Sequence, residues 1–286
     1  MDLVKTDVRK GKNVGYFNSY ILQRIRNNKN FICCITGQTG SGKSYSALRE
    51  GEILDEDFDI RNVCFTPEEF MDLVNGETKK LKRGSVIIYD EVQVSMSALD
   101  FQSLSARLIN SCLQTFRFMG FILFMTSPHF KFINASARKL FHSRMETVSI
   151  NHDKKLCNLK PFLLQTNQES GDTYHKYLRV WTKKIGVVPL KKLKAKIPSE
   201  TLRKAYEEKR QKFSKELNES IAEDLRRLKE RKKTKPKYRQ YCPKCKYEWN
   251  SPVEHPLKCP RCQYKKIIRK NNPQNENNTT TKHERV

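Results

Sequence analysis

The sequence lacks a long hydrophobic run. Its most apolar stretch, FMGFILFM from Phe118 to Met125, ends after eight residues, where a membrane-crossing helix needs roughly 20. No apolar segment follows Met1, so no secretory signal is read there. The expectation is a soluble, cytoplasmic protein with no membrane span. Hydrophobic residues make up 37% and charged residues 30%, which leaves part of the chain outside any core. Acidic residues are scarce towards the C-terminus. Residues 181–286 carry a net charge of +19, whereas residues 1–180 carry +6. A field of that sign attracts nucleic acid or an acidic membrane face, and the plainer reading is a solubilising basic tail.

What is present begins with an alternation of strand and helix signals. FICCIT (31–36) reads as a buried strand and KSYSALREGEIL (43–54) as a helix. NVCFT (62–66) is a strand and PEEFMDLVNG (67–76) a helix with Pro67 at its start. SVIIYDE (85–91) is a strand, residues 100–119 a long helix, and FILFMT (121–126) a strand. That order predicts an α/β fold with a largely parallel sheet and helices on both faces. METVSINH, LCNLKPFLLQ and TYHKYLRVW then read as strands without helices between them, extending the sheet as antiparallel edges. The predicted organisation is a basic N-terminal segment (1–30) with a short helix in GYFNSYILQRI, then a nucleotide-binding core (31–185). A charged helical extension and basic linker (186–240), a cysteine module (241–267) and a disordered tail (268–286) complete it. In the extension, Leu217, Ile221, Leu225 and Leu228 form a sparse apolar stripe. No internal repeat is read.

The turn between the first strand and helix is GQTGSGKS. Gly37, Gln38, Thr39, Gly40, Ser41, Gly42, Lys43 and Ser44 fit the phosphate-binding pattern, with strand before and helix after. Glycines let backbone N–H groups converge on phosphate oxygens, and the helix adds its positive end. Lys43 is expected to bridge the β- and γ-phosphates of ATP, and Ser44 to ligate Mg²⁺. Asp90 and Glu91 close an apolar strand, at the end where ligands of a parallel sheet collect. Asp90 is read as the second Mg²⁺ group and Glu91 as the base that polarises water; a loop-capping role for Glu91 is the plainer reading. Thr126, Ser127 and His129 after FILFMT read either as a γ-phosphate sensor or as a polar strand end, with His129 an ordinary loop histidine.

Two further features ask for partners. In the helix 100–119, Ser103, Arg107, Asn110, Gln114 and Arg117 share one face, a stripe with neither acid nor lysine. It suits a phosphate or a neighbouring subunit, and Arg107, Arg117 or Arg138 is a candidate arginine finger. Of nine cysteines, Cys33, Cys34, Cys64, Cys112 and Cys157 are scattered and read as reduced core thiols. Cys242, Cys245, Cys259 and Cys262 form two CPxC pairs whose spacing predicts a structural zinc ribbon. His255 could replace one thiolate but is not needed. Tyr247, Trp249 and Lys258 in the module suit nucleic-acid contact, or Trp249 simply packs it.

Phosphate loop, IIYDE, the following long helix and FMTSP with ASARKLFH together resemble the Zot-like branch of the FtsK/HerA superfamily of P-loop ATPases, over roughly residues 15–185. The resemblance implies that Lys43 and Ser44 are the Walker A pair and Asp90 and Glu91 the Walker B pair. It implies a catalytic arginine at Arg117, in RFMGFILFMTSP, and hexameric rings that move double-stranded DNA or help extrude filamentous phage. Ser127 stands where such pumps often carry Gln, and the membrane span of the extrusion proteins is not seen. The expected function is therefore an ATP-hydrolysing, Mg²⁺-dependent oligomeric motor that packages or mobilises DNA. The alternatives are a nucleotide-switched nucleic-acid-binding protein and a Zot-like ATPase of phage assembly.

Overall fold

The computed structural model describes residues 8–9, 12–91, 118–133, 135–167, 169–234 and 238–269. In chain order the elements are β1 (Val8–Arg9), β2 (Lys12–Asn13), α1 (Tyr16–Arg26), β3 (Phe31–Thr36), α2 (Lys43–Leu54), β4 (Val63–Cys64), α3 (Pro67–Asn75), β5 (Val86–Tyr89) and β6 (Ile122–Ser127). They continue with α4 (Ala135–Arg138), β7 (Ser143–Asn151), β8 (Leu156–Thr166), β9 (Thr173–Lys176), β10 (Arg179–Thr182), β11 (Gly186–Pro189), β12 (Leu193–Lys196), α5 (Glu200–Thr234), β13 (Tyr238–Tyr241), β14 (Glu248–Ser251) and β15 (Ile268–Arg269). The chain forms two compact units, residues 1–213 and 214–286, and the division falls within α5.

The first unit is built on an eight-stranded sheet in the order β12-β8-β7-β3-β6-β5-β4, with β9 also paired to β8. Strands β4, β5, β6, β3 and β7 run parallel. A strand buried on both faces needs apolar side chains at every position, and β3 is buried throughout. Its alternating residues divide the core. Phe31, Cys33 and Ile35 join Phe17 and Ile21 of α1, Leu48 of α2 and Tyr206 of α5. Ile32 and Cys34 join Phe70 and Leu73 of α3 and Ala137 of α4 on the opposite face. The expected α/β sheet with helices on both faces is what the chain forms.

Local chemistry sets the helix ends. Thr66 caps α3 by accepting the Glu69 N–H at 3.2 Å, Glu69 reaches back to the Phe65 N–H at 2.7 Å, and Pro67 occupies the first turn, where its missing N–H costs nothing. In α1, Phe17, Ile21, Leu22 and Ile25 recur at helical spacing and are buried.

Three expectations change. The strand read over 62–66 is only Val63–Cys64, because residues 60–62 form a 3-10 turn capped by Asp59. The strand in METVSINH is not an antiparallel edge: β7 pairs parallel with β3, and the antiparallel order begins only at β8. TYHKYLRVW is two strands, of which β10 leaves the sheet to pair with β11. Periodicity shows which faces are apolar but carries no strand direction. The helix read over 100–119, with Cys112 and the stripe containing Arg107 and Arg117, lies outside the described residues except for Phe118 and Met119.

The second unit contains a ribbon of three antiparallel strands, β14-β13-β15. Its central strand, Tyr238–Tyr241, begins in the stretch read as basic linker, and its partner Ile268–Arg269 lies in the stretch read as disordered tail. Ile221, Leu225 and Leu228 of the α5 stripe are about half exposed, at 49%, 54% and 52%.

Glu50 gives the first unit a pH response. It lies in the interior of α2, fully buried, and its Oε2 has no hydrogen-bond partner. Burial pushes its carboxyl up to about 7, with Asn18 and Arg49 opposing. The folded state therefore binds a proton that the unfolded state releases, and stability falls as pH rises from about 4.5 to about 7. Glu50→Gln is expected to abolish that fall and to stabilise the protein by about 3 kcal/mol at pH 8. Urea unfolding at pH 5 and pH 8 measures both.

Candidate nucleotide site and cysteine cluster

The parallel register assembles the site before any side chain is considered. Ile35 pairs with Thr126, and Tyr89 pairs with Met125. Asp90, one residue past Tyr89, therefore falls beside Thr126, and the loop that leaves β3 at Gly37 emerges at the same end of the sheet, with the Gly37 N–H on the Pro128 carbonyl at 3.3 Å. Strand β6 stands between the phosphate-loop strand and the Asp90 strand.

The loop closes on itself. Gly42, with φ of 86°, turns the chain into α2 in the left-handed region that glycine tolerates. At Gly37, where φ is 153°, a Cβ would stand 1.8 Å from the Thr147 hydroxyl of β7, so a side chain there would have to displace Thr147. Thr147 Oγ1 lies 2.7 Å from Ser41 Oγ and 3.2 Å from the Thr36 carbonyl, tying the loop to its neighbouring strand. The Lys43 ammonium donates to the Gly37 and Gln38 carbonyls at 3.0 and 2.8 Å. Burial lowers its pKa and Arg210 lowers it further, against the attraction of Asp90 and Glu91. The free N–H groups of the first turn of α2 and this ammonium leave an electropositive mouth.

Asp90 is buried and takes hydrogen bonds from three hydroxyls. Ser44 donates to Oδ1 at 2.9 Å, Thr126 donates to the same oxygen, and Tyr206 of α5 donates to Oδ2. Burial, then the Asp90 carboxylate, push the Tyr206 phenol up, which keeps it a donor. Glu91 leaves the strand with φ of 51° and gives its N–H to Thr126 Oγ1 at 2.9 Å. Its carboxylate meets Arg210 Nη2 at 2.8 Å.

Lys43, Ser44 and Glu91 border a cleft of about 400 Å³, and Asp90 lies buried behind them. One wall is the phosphate loop with Glu91. The facing wall is the β7–β8 hairpin, through Ile150, His152 and Leu156, and the end of β12 through Ile197. Tyr206 and Arg210 complete it. The hairpin, β12 and the two α5 residues were not found from sequence. The α5 contribution had a signal: Leu202, Tyr206 and Phe213 repeat at helical spacing and are apolar or aromatic.

Other sequence candidates fall elsewhere. Ser127 donates to the His129 carbonyl at 2.9 Å and so closes a turn, while the Thr126 hydroxyl is engaged by Asp90 and Glu91. His129 packs edge-on against Phe132. Arg138 ends α4 and does not border the cleft. Arg107 and Arg117 lie outside the described residues. Cys33, Cys34, Cys64 and Cys157 are buried free thiols, and burial pushes all four up.

The ribbon brings Cys242, Cys245, Cys259 and Cys262 together, with all four Sγ atoms within 4.8 Å of one another. Cys242 and Cys262 are 3.5 Å apart, and Cys245 and Cys259 3.7 Å. A tetrahedral Zn²⁺ with Zn–S of about 2.3 Å requires S···S edges of about 3.8 Å, so the cluster could hold that ion. His255 is not part of it. The ribbon also contains a short repeat that the sequence reading missed, CPKCKY and CPRCQY. In each copy the first cysteine N–H donates to the tyrosine carbonyl, at 2.9 Å to Tyr247 and 2.8 Å to Tyr264. The fifth residue, Lys246 or Gln263, takes φ of 58° or 59°. The copies exchange side chains: Lys244 lies over the Tyr264 ring at 5.9 Å and Arg261 over the Tyr247 ring at 5.7 Å.

No family model matches the sequence, and no curated protein does. Among solved structures, the N-terminal domain of zonular occludens toxin from Neisseria meningitidis is similar over 55% of this chain and 96% of that one, at 18% identity and a TM-score of 0.33. By its own topology and loop, the chain has a mixed α/β, P-loop NTPase-like fold.

Proposed function

We propose that the first unit is a Mg²⁺-dependent ATPase. The observation that carries this reading is the 2.9 Å hydrogen bond from Ser44 in the phosphate loop to buried Asp90, with Glu91 one residue further on at the edge of the cleft. A hydroxyl beside a carboxylate is an oxygen donor set suited to a hard cation, and Ser44 and Asp90 would hold Mg²⁺ there. The ion would offset phosphate charge. The loop N–H groups and Lys43 bind the β- and γ-phosphates. Lys43 then exchanges the Gly37 and Gln38 carbonyls for phosphate oxygens, which are stronger acceptors. Water attacks the γ-phosphorus, the bond to the ADP oxygen breaks, and Glu91 takes the proton from the water.

The same reading extends to the load. With a net charge of +19 over residues 181–286 and the stacked Tyr247 and Trp249 rings 5.9 Å apart in the ribbon, the protein works on nucleic acid, most simply as an oligomeric motor that moves or packages duplex DNA. Rings of six are the form the motor class favours. The four ribbon cysteines hold Zn²⁺ as a structural ion.

ATP turnover measured with and without duplex DNA tests the motor. Wild type is expected to hydrolyse ATP faster with DNA. Glu91→Gln is expected to retain ATP binding and lose about 10²- to 10⁴-fold in kcat, while Lys43→Ala loses binding. Sustained binding with no turnover would move the reading to a nucleotide-switched binding protein. Light scattering with ATP and DNA reports assembly, and a chain that stays monomeric in every condition removes the ring. Elemental analysis of the purified protein is expected to find a single Zn²⁺ per chain. Cys259→Ser should lose the zinc and melt the ribbon, seen as loss of its amide protection, because a four-thiolate ion supplies much of such a module's folding energy.

A further inference from the structure

The helix α5 enters the nucleotide site with two side chains one turn apart. Tyr206 donates to Asp90, and Arg210 pairs with Glu91. The first turns of α5 are fastened on several sides. Leu202 and Tyr206 are in the core, Lys209 Nζ pairs with Glu69 at 3.1 Å, and Phe213 stacks on Phe65 with ring centroids 4.9 Å apart. Tyr45, next to Ser44 in the phosphate-loop helix, donates to Glu207 at 3.0 Å. Arg210 is therefore presented to the cleft by a fixed backbone.

The Arg210–Glu91 pair has little to do with stability. The two side chains are 40% and 30% exposed, where ion pairs contribute little. Its location matters more. It neutralises Glu91, the carboxylate read above as the base, which lines the cleft together with Lys43. A triphosphate brought to Lys43 carries more negative charge than Glu91 and offers oxygens in the geometry a guanidinium fork matches. Such a ligand would draw Arg210 away and leave Glu91 free for water.

We propose that Arg210 is a γ-phosphate ligand supplied by the chain to its own site, which trades Glu91 for the γ-phosphate when ATP binds. The inference rests on the ATPase reading above. It gives the cleft a second cationic group besides Lys43 without recourse to a neighbouring subunit. The traded partner also explains why a hydrolase would hold its base in an ion pair: Glu91 is released only when the phosphate that it serves has arrived.

A γ-phosphate ligand distinguishes ATP from ADP. Titration calorimetry of the full chain with the non-hydrolysable analogue AMP-PNP and with ADP, both with Mg²⁺, is therefore the test. Arg210→Ala is expected to weaken AMP-PNP binding by about 10- to 100-fold, the range for a lost charge-assisted hydrogen bond, and to leave ADP within about twofold. Arg210→Lys should recover part of the AMP-PNP affinity, since it keeps the charge and loses the fork, and it serves as the folded control if the alanine variant melts early. Equal losses for both nucleotides, or none, overturn the assignment. So does faster turnover in Arg210→Ala with unchanged AMP-PNP affinity, which would make Arg210 only a restraint on Glu91. If wild type binds neither nucleotide, the ATPase reading fails and takes this inference with it. If wild type binds both and hydrolyses ATP while Arg210→Ala matches it, only the inference fails.

Discussion

Asp90 is the point on which the site depends. A carboxylate taken out of water must be hydrogen-bonded, or its burial costs several kcal/mol. Here the donors come from three separate elements: Ser44 at the start of α2, Thr126 at the end of β6, and Tyr206 on α5. Satisfying one buried acid therefore fixes the phosphate loop, the interposed strand and the crossing helix against one another. The Glu91 backbone is fixed by the same network, because its N–H goes to the hydroxyl of Thr126. The parallel sheet makes this possible by ending β3, β5 and β6 at one edge, with the register Ile35–Thr126 and Tyr89–Met125.

Some of this was legible in the sequence and some was not. The phosphate loop could be read because its chemistry is local: glycines for backbone turns, then Lys43 and Ser44 at the mouth of a helix. The helix read over 43–54 is Lys43–Leu54, and the strand read over 31–36 is Phe31–Thr36. The strand is a short unbroken apolar run that the glycine turn ends, and the helix starts where Lys43 and Ser44 follow that turn. The direction of β7 could not be read, since an alternating pattern is the same in either orientation and pairing with β3 is a long-range choice. The hydrogen bond from Tyr206 to Asp90 spans 116 residues, and that from Arg210 to Glu91 spans 119. No local rule predicts such contacts. The amphipathic stripe of Leu202, Tyr206 and Phe213 did record that this end of α5 is buried, although not against what.

The ribbon shows a different balance. Its four cysteines were legible from spacing alone because two CPxC turns leave few other ways to place four sulfurs. The exchange of Lys244 and Arg261 across the two tyrosine rings was not. It depends on the turns facing each other, which follows from the clustering of the four thiols and not from either turn by itself. With so small a core, in which Cys242, Cys259, Gln240 and Ser251 are among the few buried residues, such a module needs a metal or other cross-link to fold.

The two halves of α5 obey different constraints, and the difference bears on mechanism. Up to Phe213 the helix is held by side chains packed in the core of the nucleotide unit. Beyond it, Ile221, Leu225 and Leu228 are about half exposed, and the helix belongs to the second unit. The anchored half carries both residues that touch the acidic pair, Tyr206 on Asp90 and Arg210 on Glu91. Both charges of Arg210 and Glu91 are partly solvated, so exchanging one for a phosphate costs little, whereas Tyr206 sits in the core and does not move without disturbing Asp90. With the exchange proposed for Arg210, the site would combine a fixed contact and an exchangeable one on consecutive turns of a single helix. A triphosphate would then change the pairing of Arg210 while the backbone that presents it stays in place.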